Sequence, residues 1–149
     1  MRGCAPSRIE PEWRSPVSES SGSFSRTVRA IPDAVPALRR AAVQFAAGLG
    51  AGAPVLDGVR LAVSEAVTNV ILHAYPDREE PGPVELTAAL EGAELLVTVR
   101  DEGTGMAPRI DSPGLGLGLP LIAQTAHSLE VRQAPTGGTE MRMSFRLAD

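Results

Sequence analysis

Apolar positions recur with changing period along this chain, and each change marks an element. "FSRTVRAI", residues 24 to 31, is β-rich and predicts a strand. In "DAVPALRRAAVQFAAGLG" the residues Val35, Leu38, Ala42, Phe45 and Leu49 recur at helical spacing, with Asp33 as N-cap. "GLGAGA" breaks that helix, and Pro54 suits the first turn of a second one running to about His73. "AYPDREEPGP" is turn-rich, and the strands "VELTAAL" and "ELLVTVR" follow, joined at "EGA" as a hairpin. "LPLIAQTAHS" predicts a short helix, and "LEVRQA" and "TGGTEMRMSFRL" predict the last two strands. The order β-α-α-β-β-loop-α-β-β implies an α+β two-layer sandwich: helices on one face of a mixed or mostly antiparallel sheet. Residues 1–22 are rich in Ser, Pro and charge without apolar period, so they read as a disordered arm before a single domain at 23–149.

The pattern breaks at three places, each with two readings. On the second helix, Glu65, Asn69 and His73 are spaced by four and share one stripe. Val63, Ala66, Val67, Val70 and Ile71 form the apolar face. A sparse solvated stripe is the ordinary explanation. The alternative is chemical: an Asn oxygen can ligate Mg²⁺, and a Glu one turn away can accept a hydroxyl proton. In "ELLVTVRD", Leu95, Val97 and Val99 alternate to one face, and Asp101 continues it. Asp101 then either opens a turn with Gly103 or places a carboxylate at a pocket floor. An ionised carboxylate only accepts hydrogen bonds, so it selects N–H donors such as the amine of adenine. In the last strand Thr139 shares the register of Met141, Met143, Phe145 and Leu147. Its hydroxyl either faces the same pocket or is an ordinary strand threonine.

Glycine adds to this picture. Gly114, Gly116 and Gly118 in "GLGLGLPLI" run into an apolar helix, whose N-terminal N–H groups suit an anion. A dinucleotide-binding fingerprint needs Gly at position 119, where Leu119 stands.

Composition narrows the classes. The chain has 149 residues, 43% of them hydrophobic, with a formal net charge of −4. The longest basic cluster is Arg39-Arg40, which disfavours a nucleic-acid-binding face. No apolar run has the length of a membrane span, and the N-terminus lacks the apolar core of a signal peptide, so a cytoplasmic protein is expected. The single Cys4 excludes an internal disulfide and a multi-thiolate metal site. All 14 basic residues are arginine. A P-loop, a eukaryotic-type kinase fold and Schiff-base chemistry all need lysine, so phosphate chemistry here requires another architecture.

Taken in order, these pieces resemble the Bergerat-type ATP-binding fold of the GHKL superfamily, shared by gyrase, sensor histidine kinases and MutL. "SEAVTNVILHAY" looks like its N-box, "DEGTG" and "GLGLGLPLI" its two Gly boxes, and "GGT" the motif at its final strand. The resemblance spans about residues 24 to 147. Within the superfamily the chain is most similar to bacterial anti-sigma factor serine/threonine kinases of the SpoIIAB and RsbW group.

That resemblance implies ATP and Mg²⁺ as cofactors. It makes Asn69 the metal ligand and Glu65 the general base toward a partner hydroxyl. Asp101 would bind the adenine amine, helped by Thr139, with Gly103 and Gly105 letting the base lie close to backbone. Gly114, Gly116 and Gly118, with the N–H groups of Leu117 and Leu119, would hold phosphates, and His73 would lie on the nucleotide side. Residues 106 to 115 would form a lid, with Arg109 as its one basic residue. The implied partners are a sigma factor, an anti-anti-sigma (STAS-domain) protein and a second copy of the chain. Two other readings stay open: a non-catalytic ATP-gated binding module, and a detached ATPase domain of a two-component system.

Overall fold

The computed structural model describes residues 18–20, 22–76, 78–103, 118–135 and 137–147. Strands β1 (Ser18–Ser20) and β2 (Ser23–Arg29) precede helices α1 (Ala34–Gly48) and α2 (Ala53–His73). The hairpin β3 (Pro83–Glu91) and β4 (Glu94–Asp101) follows, then α3 (Gly118–Thr125), β5 (Ser128–Gln133) and β6 (Thr139–Arg146). The strands form one sheet in the order β1-β2-β3-β4-β6-β5, with every pairing antiparallel. β6 therefore inserts between β4 and β5. One strand lies in the segment whose composition predicts an unstructured arm. Ser18–Ser20 pairs with Ser23–Ser25 through backbone bonds, which need no apolar alternation in "SES".

Local chemistry sets the helix ends. Asp33 stands at the N-cap of α1, but its side chain makes no capping bond. The N–H groups of Ala34 and Val35 instead donate to the carbonyls of Ile31 and Pro32, and Pro36 brings no N–H to satisfy. At the other end Gly50 has φ +89°, its N–H reaches the Ala47 carbonyl, and the Ala51 N–H reaches that of Ala46. Those two bonds are the Schellman pattern, and the positive φ explains why glycine ends this helix. Between β3 and β4, Gly92 and Ala93 form a two-residue turn with Gly92 at φ +64°. A positive φ at the first central position alone matches a type II′ turn, whose twist suits the flanking strands.

α1 packs on β2 and β3, and α2 on β4 and β6, so both cover one face of the sheet. The core lies between these layers. Leu86, Val99 and Met141 form one cross-strand row beneath the helices, and Val97 and Met143 lie in the next. Leu38 of α1 and Val59, Val63 and Val67 of α2 close over them, each fully buried. Phe24 of β2 meets Phe45 of α1 with ring centroids 5.8 Å apart. The opposite face is polar. Glu85, Arg100, Glu140 and Arg132 face one another in a row across β3, β4, β6 and β5.

Candidate functional site

Four buried polar side chains occur among the described residues: Asn69, Asp101, Thr139 and Ser144. Ser144 is satisfied by the Ser128 hydroxyl at 2.6 Å. The other three stand at the same end of the molecule, on the C-terminal half of α2, the last residue of β4 and the first of β6.

Alternation along β4 places Asp101 on the core face, 5% exposed and opposite Val84. Its Oδ1 accepts from the backbone N–H of Gly103 at 2.9 Å and of Thr139 at 3.2 Å. The first bond closes an Asx turn. The second ties the start of β6 to the end of β4, just past the last register pair, Arg100 with Glu140. Burial pushes the Asp101 carboxyl above its usual 3.8, while the two N–H donors pull it down. A carboxylate has about four acceptor positions, and Oδ1 uses two of them here. The remaining capacity suits a ligand with N–H donors.

Close backbone approaches shape this corner. A methyl on Gly138 would overlap the Asp101 carbonyl oxygen. A methyl on Gly103 would overlap the Ala74 carbonyl at the end of α2. Both positions therefore require glycine, and the three chain segments converge as bare backbone.

On α2, Asn69 is 7% exposed, and its Nδ2 has no hydrogen-bond partner among the described residues. His73, one turn on and half-buried, has an Nε2 in the same condition. An orphaned buried amide costs roughly 1–3 kcal/mol, so these two groups on one stripe carry hydrogen-bonding capacity that a ligand could use. Glu65, one turn before Asn69, is half-buried. Neighbouring hydroxyls turn back into the helix: Ser64 bonds the Arg60 carbonyl and Thr68 the Ser64 carbonyl.

Most of the glycine-rich boxes cannot be placed against this site. Gly105, Arg109, Gly114, Gly116 and Leu117 lie outside the described residues. Gly118 and Leu119 open α3. α3 packs on α2. Gly58 allows that contact, since a methyl there would sit 2.8 Å from Thr125 Cγ2.

Tyr75 is a residue that the sequence patterns do not single out. It is the only tyrosine in the chain. It is 7% exposed, and its hydroxyl accepts from the Glu102 N–H at 2.9 Å and donates to the Pro83 carbonyl at 2.5 Å. Burial is the main cause that pushes this phenol up to about 12, so it stays protonated near neutral pH. The sequence signal for it is general: a buried tyrosine needs a partner for its hydroxyl.

Comparison with known proteins agrees with this architecture. A profile of the histidine kinase-like ATPase domain matches residues 28–145. The anti-sigma F factor of Clostridium acetobutylicum is 33% identical over 115 residues, covering 70% of this chain and 79% of that protein. That of a Thermoanaerobacter species is 32% identical over 133 residues, covering 82% of each. Among solved structures, the RsbU and RsbW domains of a Mycobacterium tuberculosis protein match with a TM-score of 0.68 at 22% identity. That match is one of fold; it covers 87% of this chain, which spans 33% of the solved one. The histidine kinase domain of a blue-light-activated kinase from Erythrobacter litoralis matches at 0.55 and 25% identity, covering 80% of this chain and 62% of that one. The buried acid at the end of β4, the polar stripe of α2 and the extent of these matches lead to one assignment: the chain belongs to the histidine kinase-like ATPase family, in its RsbW and SpoIIAB-like anti-sigma factor group.

Proposed function

We propose that this chain is an ATP- and Mg²⁺-dependent protein serine/threonine kinase that acts as an anti-sigma factor. It would bind a sigma factor and phosphorylate a STAS-domain anti-anti-sigma protein, working as a homodimer in the cytoplasm. The observation that carries this reading is the gathering of Asn69, Asp101 and Thr139, all buried, at one end of α2, β4 and β6. The names of the similar anti-sigma F factors support the partner class. No described helix is long and apolar enough to cross a membrane.

The residues present fit the nucleotide and the ion. Asp101 offers acceptor capacity to the adenine amine, and Thr139 stands beside it. Gly103 keeps the neighbouring backbone bare of side chain. Asn69 supplies a hard carboxamide oxygen for Mg²⁺, an ion that takes one or two protein oxygens and completes its shell from phosphates and water. Among the described residues no group of three His, Cys, Asp or Glu gathers to hold a metal, so Asn69 would share the ion with those other oxygens. His73 would donate to a phosphate oxygen from the same stripe. The N-terminal end of α3, at Gly118 and Leu119, would hold phosphate through backbone N–H groups. Gly105, Gly114, Gly116 and Leu117 would complete that cradle, and residues 106 to 115 with Arg109 would cover it.

ATP would supply its γ-phosphoryl group to the partner's hydroxyl oxygen, with ADP as the leaving group. Glu65 would take the proton from that hydroxyl, one helical turn from the metal ligand. Such transfer depends mainly on positioning and charge stabilisation, which rigid helix-borne residues provide.

The test is incubation with a STAS-domain protein and γ-labelled ATP. Label should reach a Ser or Thr of that protein. Glu65→Gln should lower the rate by about a hundredfold or more while leaving ATP affinity within about twofold. Bound nucleotide without transfer by the unaltered chain would refute the kinase and leave an ATP-gated binding module.

A further inference from the structure

The β3–β4 ladder stops one rung short of Pro83, the first residue of β3. Pairing runs without a gap from Glu91 and Glu94 to Val84 and Asp101. The next pair in sequence is Pro83 with Glu102. Proline has no N–H, so only one ladder bond is available there, from the Glu102 N–H to the Pro83 carbonyl. That bond is replaced. The Tyr75 hydroxyl sits between the two groups, accepting from Glu102 N at 2.9 Å and donating to Pro83 O at 2.5 Å. A side chain from beyond the end of α2 thus splits the ladder at its last rung.

Two further contacts hold the ring in that slot. Gly82 lies against it, since a methyl there would be 2.7 Å from Cε1. The Arg78 guanidinium lies over the ring, 5.1 Å from its centroid. Beyond Glu102 the chain passes so close to Ala74, the residue before Tyr75, that Gly103 admits no side chain. The chain that follows β4 thus leaves β3 at this rung and reaches the end of α2 at Gly103. Glu102 is the middle residue of the Asx turn made by Asp101 Oδ1 and the Gly103 N–H. Fixing its N–H fixes the turn, and the turn orients the carboxylate.

We infer that Tyr75 is a specificity-determining positioning residue, a wedge whose hydroxyl aims the Asp101 carboxylate at the base of a bound purine nucleotide. This rests on the proposed nucleotide site. It adds that discrimination between adenine and guanine depends on a residue that touches neither. An aimed carboxylate accepts from the amine at position 6 of adenine and repels the oxygen found there in guanine. A loosened turn blurs that difference. The phenol's high pKa keeps the relay intact through neutral pH, because a phenolate has no proton for Pro83.

Tyr75→Phe keeps the ring and removes the relay. Two measurements are needed. Amide hydrogen exchange at Glu102 and Gly103, followed by NMR in nucleotide-free protein, should accelerate about fivefold or more, the loss of roughly one hydrogen bond. Calorimetric affinity for ATP should fall by about fivefold with GTP affinity little changed, so the ratio of the two shrinks. Faster exchange with an unchanged ratio would overturn the inference and leave Tyr75 a purely structural clamp. Unchanged exchange would overturn the wedge itself. Failure of the unaltered chain to bind either nucleotide would instead remove the proposed function, before any variant is compared. Gly82→Ala guards against misfolding of the Phe variant. It keeps the hydroxyl but pushes the ring, and it should shrink the ATP-to-GTP ratio in the same direction; an unchanged ratio in both variants counts against the inference.

Discussion

Asp101 is held in a compromise between burial and hydrogen bonding, and the compromise has consequences for pH. Its carboxyl is pushed above the ordinary 3.8, chiefly by burial. Folding therefore favours the protonated form. The stability it contributes is fully present below 3.8, the unfolded-state value, and is lost as pH rises through the higher folded-state value. Asn at this position does not titrate, yet its oxygen can still accept from the Gly103 and Thr139 N–H groups. Asp101→Asn should therefore be more stable than the unaltered chain at pH 7, with the difference vanishing below 3.8. Urea unfolding at several pH values measures this, and an Asn variant that is weaker at pH 7 contradicts it. The same change should weaken ATP binding by about tenfold to a hundredfold, the scale of a charge-assisted bond. Stability gained with affinity lost is the mark of a residue kept for binding. Unchanged affinity by calorimetry would show that Asp101 does not read the base.

At the scale of elements, two glycines in the helices make opposite predictions. Gly48 ends α1, and a methyl added there would meet nothing within 4 Å, so Gly48→Ala should stabilise by up to about 0.5 kcal/mol. Gly58 lies inside α2, where helix propensity alone favours Ala by roughly 0.8–1 kcal/mol. Packing opposes it: a methyl there meets Thr125 Cγ2 at 2.8 Å and Phe145 at 3.4 Å. Thr125 is pinned by its hydroxyl bond to the Leu121 carbonyl at 2.8 Å. Gly58→Ala should thus destabilise by about 1 kcal/mol or more net. Thermal melts of the two variants decide, and a stabilised Gly58→Ala means α3 gives way freely. These glycines mark the limit of what the sequence discloses. Alternation is local, so the inward register of Asp101 and Thr139 is legible in it, as are the α2 stripe and the element order. The close approaches at Gly58, Gly103 and Gly138, and the slot of Tyr75, join residues far apart in the chain. No local period encodes them. Strand β1 escapes for a different reason, since ladder pairing with β2 needs no apolar alternation and its segment has none.

Across the whole molecule, the candidate site belongs to no single layer. Asn69 and His73 come from a helix, Asp101 and Thr139 from neighbouring strands, and Gly118 from a second helix on the first. A ligand bridging them links the helical layer to the sheet, so its binding should register as stability of the entire fold. With free ligand at a hundred times its Kd, the gain is about 2.7 kcal/mol. For a chain of this size that raises Tm by roughly 5–10 °C. ATP with Mg²⁺ should produce this rise, and ATP with a chelator a smaller one, if Asn69 holds the ion as proposed. Asn69→Ala removes the proposed metal ligand and also the orphaned Nδ2. Its rise with chelated ATP should match that of the unaltered chain to within about 1 °C, since Asp101 and Thr139 remain. Its further rise on adding Mg²⁺ should be mostly lost, an increment of about 1–2 kcal/mol for one oxygen to a hard cation. A differential melt at four conditions separates the outcomes. Equal losses with and without Mg²⁺ would mean that Asn69 contacts the nucleotide directly, and metal ligation by α2 would have to be given up.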